Sequence, residues 1–182
     1  MLTKARIAGH PIHPMLIAFP VAFYTATAVA LIVFGAIKDP FWFRLAFWTN
    51  LAGVVMAAVA AIPGAIDLFT LPNQTRARRT GYIHATANVV ALALFVISVI
   101  LIWDHGRDGT LAYAAPLVLS LCGVAVTVGA GALGWTLVQT HHVGVTPTQL
   151  AMTEDRPADQ VADLDAIYPP VSRRSTQVPL RH

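Results

Sequence analysis

Charge is scarce in this chain. Its 12 lysines and arginines and 9 aspartates and glutamates make up 12% of 182 residues. A soluble domain carries roughly twice that fraction, which argues against a water-soluble globule. Cysteine is scarcer still: Cys122 stands alone, so neither an internal disulfide nor a thiolate metal cluster can form. Its place in a long apolar run suits an inert, buried thiol. No glycine-rich dinucleotide loop, phosphate-binding loop or nucleophile elbow occurs. No basic stripe with interleaved aromatics points to nucleic acid, and no internal repeat stands out.

Hydrophobic residues are abundant, at 56%. Four nearly uncharged runs follow one another at residues 14–37, 45–66, 81–103 and 111–138. Each exceeds the roughly 20 residues that cross a hydrocarbon core of about 30 Å. Backbone groups in lipid must be satisfied internally, so these runs are expected to be helices. The sequence therefore predicts an all-α integral membrane protein, a four-helix transmembrane bundle with helices at about 14–37, 45–68, 82–103 and 111–139. The first run continues past Ala26-Thr27-Ala28 through Phe34, too long for a cleaved signal peptide. The domain is expected to span 1–147. Residues 148–182, rich in Asp, Arg, Pro, Ser and Gln, read as a polar, largely disordered cytoplasmic tail.

An even number of helices puts both termini and the middle loop on one side. Lys4, Arg6, Arg76, Arg78, Arg79 and Arg156 lie there, against Lys38, Arg44 and Arg107 on the other. The positive-inside rule then places both termini in the cytoplasm of a bacterial inner-membrane protein. Phe41, Trp42, Phe43 and Trp103 read as headgroup-level anchors on the outer side. The net charge of +3 fits a basic cytoplasmic rim against anionic lipid. Small residues at Gly53, Ala57, Ala61 and Gly64, and at Gly123, Thr127 and Gly131, are expected to let helices approach closely. Pro63 should bend the second helix.

Five of the seven histidines fall beside helix ends that meet at one membrane face: His10, His13, His84, His141 and His142. Asp67 is the carboxylate that accompanies them inside a span. Titratable groups at a lipid boundary are costly and tend to have a function. His13 precedes Pro14 and is expected at or near the helix N-cap; His10 also precedes a proline and should form an extended lead-in. His84 is expected in the first turn of the third helix, at the depth of Asp67, with the loop between them at about 68–81. Asn88 would sit one turn deeper than His84 on the same face. His10, His13, His84, His141 and Asp67 are the candidate ligands; Asn88, Arg78, Arg79 and His142 are candidates to support them. Plainer roles stand beside these: a cap for His13, an ion pair with Arg78 or Arg79 for Asp67, and a loop position for His105.

The stretch Gly9-His10-Pro11-Ile12-His13-Pro14-Met15-Leu16-Ile17-Ala18-Phe19-Pro20 resembles the opening motif of the bacterial DUF2231 membrane proteins. Later blocks resemble that family too: Pro63-Gly64-Ala65-Ile66-Asp67, Arg78-Arg79 followed by His84 and Asn88, and residues 134–145. The resemblance covers about residues 7–147. It implies a four-helix membrane protein with site residues at these positions, and some such proteins are fused to or encoded near electron-transfer modules. It implies no established activity. Where the family commonly has a glycine pair this chain has Gly134-Trp135, and where a glycine commonly follows the last histidine it has His142, so the register gives His141 the family's position.

Three functions remain open at this point. Neutral imidazoles on facing helices could hold one haem b for electron transfer with a redox protein or the quinone pool, with arginines pairing its propionates. The surplus of histidines plus Asp67 could instead hold Zn, Fe or Cu in a sensor, carrier or enzyme. The chain could also be a structural subunit of a membrane complex, including an oligomer of itself.

Overall fold

Four helices long and apolar enough to cross a membrane run through the computed structural model. It describes the backbone of residues 6–7 and 10–144 and the side chains of residues 12–144. The expected tail at 148–182 and the His10 side chain lie outside the described residues. The chain enters through two short paired strands, β1 (Arg6–Ile7) and β2 (His10–Pro11), with Ile7 opposite His10. The first span is broken into α1 (Ile12–Leu16) and α2 (Ala18–Ile37). Pro20 supplies the reason: it has no N–H, so the Leu16 carbonyl loses its helical donor. His13, expected at or near the N-cap, is the second residue of α1. Pro14 is tolerated in that first turn because its missing N–H would have no helical partner there anyway.

The remaining helices are α3 (Pro40–Thr70), α4 (Arg76–Arg107) and α5 (Ala114–Gln139). Two of them are longer than their apolar runs, because capping and not hydrophobicity sets where they begin. Pro40 occupies the first turn of α3, and the Asp39 carboxylate accepts from the Phe41 N–H at 2.8 Å. Thr75 caps α4, its hydroxyl accepting from the Arg78 N–H at 3.2 Å. The loop expected at about 68–81 therefore shrinks to 71–75. His84 moves from the first turn of α4 to the third. Between α2 and α3 the chain turns in two residues: Lys38 adopts φ 59° and donates its N–H to the Phe34 carbonyl at 2.9 Å. Its ammonium then lies 4.0 Å above the Tyr113 ring.

The helices pack as two hairpins, α2 on α3 and α4 on α5, closed into a bundle by α3 on α4 and α2 on α5. One diagonal is α2 and α4; the other is α3 and α5. Buried positions recur at alternating steps of four and three, as in Pro20, Tyr24, Thr27 and Leu31 of α2. In α3 the buried Ala46, Gly53, Ala60 and Asp67 are each seven apart. That period keeps one face of α3 turned to its neighbours and explains why Asp67 is buried. It also corrects part of the expected small-residue stripe. Gly53 and Gly123 do admit close neighbours: a Cβ there would lie 2.7 Å from the Tyr24 ring and 2.5 Å from the Phe95 ring. Ala61 is exposed, however, and Gly131 has no such neighbour within 4 Å.

Outward, Trp48, Phe69, Val128 and Trp135 are each more than 60% exposed, an apolar coat suited to lipid and not to water. The chain is a multi-pass membrane protein. In the bundle's middle, polar side chains satisfy one another: Thr27 with Thr49 at 3.0 Å, and Ser98 with Ser120 at 3.1 Å. Oriented to suit its neighbours, the Asn50 amide donates to the Phe95 carbonyl and accepts from Ser98. Such contacts join helices where lipid offers polar groups no alternative partner.

Arg78 secures the short loop between α3 and α4. Its guanidinium donates to the Leu71 carbonyl at 2.9 Å, to the Asn73 side chain and to the Tyr82 hydroxyl at 3.2 Å. Arg78→Ala should speed protease cleavage within residues 71–75 of the inserted protein several-fold, whereas exposed Arg79→Ala should not. Packing gives a second expectation. Gly123→Ala should cost about 1–3 kcal/mol by overpacking against Phe95, read as a lower melting temperature in detergent. Gly131→Ala should be neutral or mildly stabilising, since it gains helix propensity without a clash.

Candidate functional site

Two imidazoles are brought together at the end of the bundle that carries the α3–α4 loop. His13 reaches from α1 across to α3, where its Nδ1 lies 2.8 Å from the Ala60 carbonyl oxygen. His84 reaches from α4 to α5 in the same manner, its Nδ1 2.8 Å from the Ala130 carbonyl. A carbonyl only accepts, so both Nδ1 atoms carry the proton. Each Nε2 therefore carries a lone pair, the tautomer that binds metals, and that of His84 accepts from the Asn88 amide. The ring centroids are 6.2 Å apart, with the planes at 89°.

Each ring also rests against a glycine four residues beyond its acceptor. A Cβ on Gly64 would lie 2.9 Å from Cε1 and Nδ1 of His13, and one on Gly134 would lie 3.2 Å from Cε1 of His84. The first distance forbids any side chain without displacing the imidazole, and the second requires the ring to give way slightly. Both rings are half-buried and Asn88 is exposed, so the space beside them is not sealed by packing. The Asn88 amide nitrogen stands 3.2 Å from Nε2 of His84 and donates to the His84 carbonyl at 2.9 Å. It occupies the position one turn along from His84 that the sequence assigned to it.

The other expected site residues are distributed around this pair. Asp67 is buried in α3, one turn beyond Gly64. His141 is buried immediately after the end of α5. His142 is partly exposed with φ 51°, a left-handed conformation that glycine adopts more easily. Among the described residues no group of three or more His, Cys, Asp or Glu side chains gathers at metal-binding range. Of the candidate ligands, then, the structure pairs His13 with His84. Arg78 is engaged by the loop, and Arg79 is exposed.

His105 was expected in a loop and lies in the last turn of α4, at the opposite end of the bundle. Its Nδ1 is 3.8 Å from the Asp108 carboxylate. The Thr110 hydroxyl and N–H both donate to that carboxylate, at 2.7 and 2.9 Å, holding Asp108 below its ordinary pKa. Two apolar hollows on the bundle surface, one beside Trp48 and Met56 and one beside Trp103 and Ile100, contain no titratable side chain.

Sequence reasoning did not find the seats of the two rings. Each seat is an alanine followed four residues later by glycine, at Ala60-Gly64 and Ala130-Gly134, but the same spacing at Ala77-Gly81 and Ala125-Gly129 seats no ring, so the sequence alone does not single the seats out.

Comparison with the curated proteins returned no match, and neither did comparison with the solved structures. A family model described as "Predicted membrane protein (DUF2231)" matches residues 9–147. That range takes in all four spans, both paired histidines and both glycine seats, and the chain belongs to the DUF2231 family.

Proposed function

We propose that the chain binds one b-type haem between His13 and His84 and serves electron transfer in the membrane. The observation that carries this reading is the pair of Nδ1-anchored imidazoles with centroids 6.2 Å apart. Two rings bound through Nε2 to one iron, at about 2 Å each, have centroids roughly 6 Å apart. The donor set also fits, since haem asks for two axial ligands and the structure pairs two histidines. Gly64 and Gly134 lie on the diagonal not used by the histidines and give the two rings the space they occupy. Bound haem would supply reversible one-electron chemistry. The chain's own residues fix the tautomer and angle of each ring through the Ala60 and Ala130 carbonyls. Exposed Arg79 at the same end is a partner for a propionate.

A redox protein or a membrane quinone would exchange electrons at this end of the bundle, and its basic residues Arg76, Arg78 and Arg79 support a cytoplasmic face for it in a bacterial inner membrane. A non-haem ion held by the two Nε2 atoms is the second reading, and it would require the Asn88 amide, whose nitrogen now stands 3.2 Å from Nε2 of His84, to turn away.

Gently purified protein should show a Soret band that sharpens and shifts to the red on reduction. His13→Ala and His84→Ala should each remove most of it, while His105→Ala leaves it unchanged. Stoichiometric Zn, Fe or Cu without a Soret band would decide for the ion. A colourless, metal-free protein made with haem and metal supplied would decide for a structural subunit.

Orientation has its own test. Reporter fusions after Gln74 and at His182 should read cytoplasmic and one at Asp108 periplasmic. A periplasmic reading after Gln74 would move the site to the outer face.

A further inference from the structure

The two histidine seats are the end of a longer correspondence. Shifting by 71 positions carries His13 onto His84, Tyr24 onto Phe95, Thr27 onto Ser98 and Leu31 onto Ile102. Shifting by 70 carries Ala46 onto Pro116, Asn50 onto Ser120, Gly53 onto Gly123, Ala60 onto Ala130 and Gly64 onto Gly134. The four residues buried in α5 are Pro116, Ser120, Gly123 and Ala130, and each lands on a buried residue of α3. Contacts repeat with the positions. Tyr24 fills the space over Gly53 as Phe95 fills that over Gly123, and His13 meets Ala60 and Gly64 as His84 meets Ala130 and Gly134.

Contacts between the halves obey the same relation. Gly35 faces Tyr113, and its counterpart Gly106 faces Phe43, the counterpart of Tyr113. Equivalent residues that touch each other must lie across a two-fold axis. Tyr24 and Phe95 do so, stacked at 3.6 Å with planes 3° apart, and the His13 and His84 rings meet three helical turns away. The axis thus runs along the bundle centre and between the two imidazoles.

We propose that the chain is one helical hairpin repeated, and that a single planar iron centre lies on the axis between the repeats. It is bound by the equivalent Nε2 atoms of His13 and His84, whose rings Gly64 and Gly134 hold in place. This rests on the haem reading above. Two equivalent imidazoles with centroids 6.2 Å apart would share one iron and would not hold two separate ions. The repeats diverge beside the rings: Asn88 stands next to His84, while Ile17 holds the corresponding place next to His13. One face of the site is therefore polar and the other apolar. Gly64 and Gly134 are positioning residues that act through the imidazoles.

Two measurements on the full-length protein test the proposal. In the first, Tyr24→Phe and Phe95→Tyr are combined. Because the positions are equivalent, the exchanged protein should melt within about 5 °C of the parent in detergent, and failure to insert or a much larger drop would overturn the repeat. In the second, haemin is titrated into purified protein. One haem per chain is expected, with His13→Ala and His84→Ala each weakening uptake by about tenfold or more. Gly64→Ala and Gly134→Ala should both shift the Soret and α bands of whatever haem remains, which a change in stability alone would not do. Two haems per chain, or loss in one histidine variant but not the other, would overturn the axial site while leaving haem binding intact. No haemin uptake by the parent protein, with the exchange variant still folded, would overturn the haem reading and the axial site together and leave the repeat standing.

Discussion

A proton donor placed among hydrocarbon chains has to find its acceptor inside the protein, and the site depends on how two imidazoles meet that demand. Leaving a buried donor unpaired costs about 1–3 kcal/mol, and lipid supplies no water to reduce it. His13 and His84 solve this alike, each donating to a backbone carbonyl of the neighbouring helix. Their bonds do more than satisfy a polar atom. They fix which nitrogen keeps its lone pair, tie α1 to α3 and α4 to α5, and bring the two rings to 6.2 Å. The glycines follow from the same demand, because a ring close enough to reach a helix carbonyl lies against the backbone of the next turn.

The same absence of water accounts for the bundle's middle. Thr27, Asn50, Ser98 and Ser120 would be destabilising alone in an apolar core, yet Thr27 pairs with Thr49 and the other three satisfy one another. Helix association in lipid has little hydrophobic drive, so it relies on such hydrogen bonds and on close packing. The Tyr24 and Phe95 rings supply the packing by filling the spaces over Gly53 and Gly123. The Tyr24 hydroxyl is buried without a hydrogen-bond partner among the described residues, while its ring stacks on Phe95 at 3.6 Å.

Much of this was legible in the sequence. Long uncharged runs can only be helices in lipid, so the four spans, their order and their common end followed from composition. His13, His84 and Asn88 stood out because polar groups are rare in such runs. The helix boundaries were less legible, since hydropathy marks where lipid begins and not where a helix does. Capping by Asp39 and Thr75 carries α3 and α4 beyond the apolar stretches. The repeat was illegible in linear reading because lipid-facing residues are free to diverge so long as they stay apolar. The matching positions are the few that touch another helix, thinly spread through each span.

By itself the sequence determined a four-helix membrane protein with histidines at one end, because burial in lipid constrains composition along the chain directly. Which histidines meet was decided by the tertiary structure. Ring spacing, tautomer and the two-fold relation between hairpins arise from how α1 and α4 pack on α3 and α5. A pairing between residues 71 positions apart depends on interhelical geometry that no local pattern encodes.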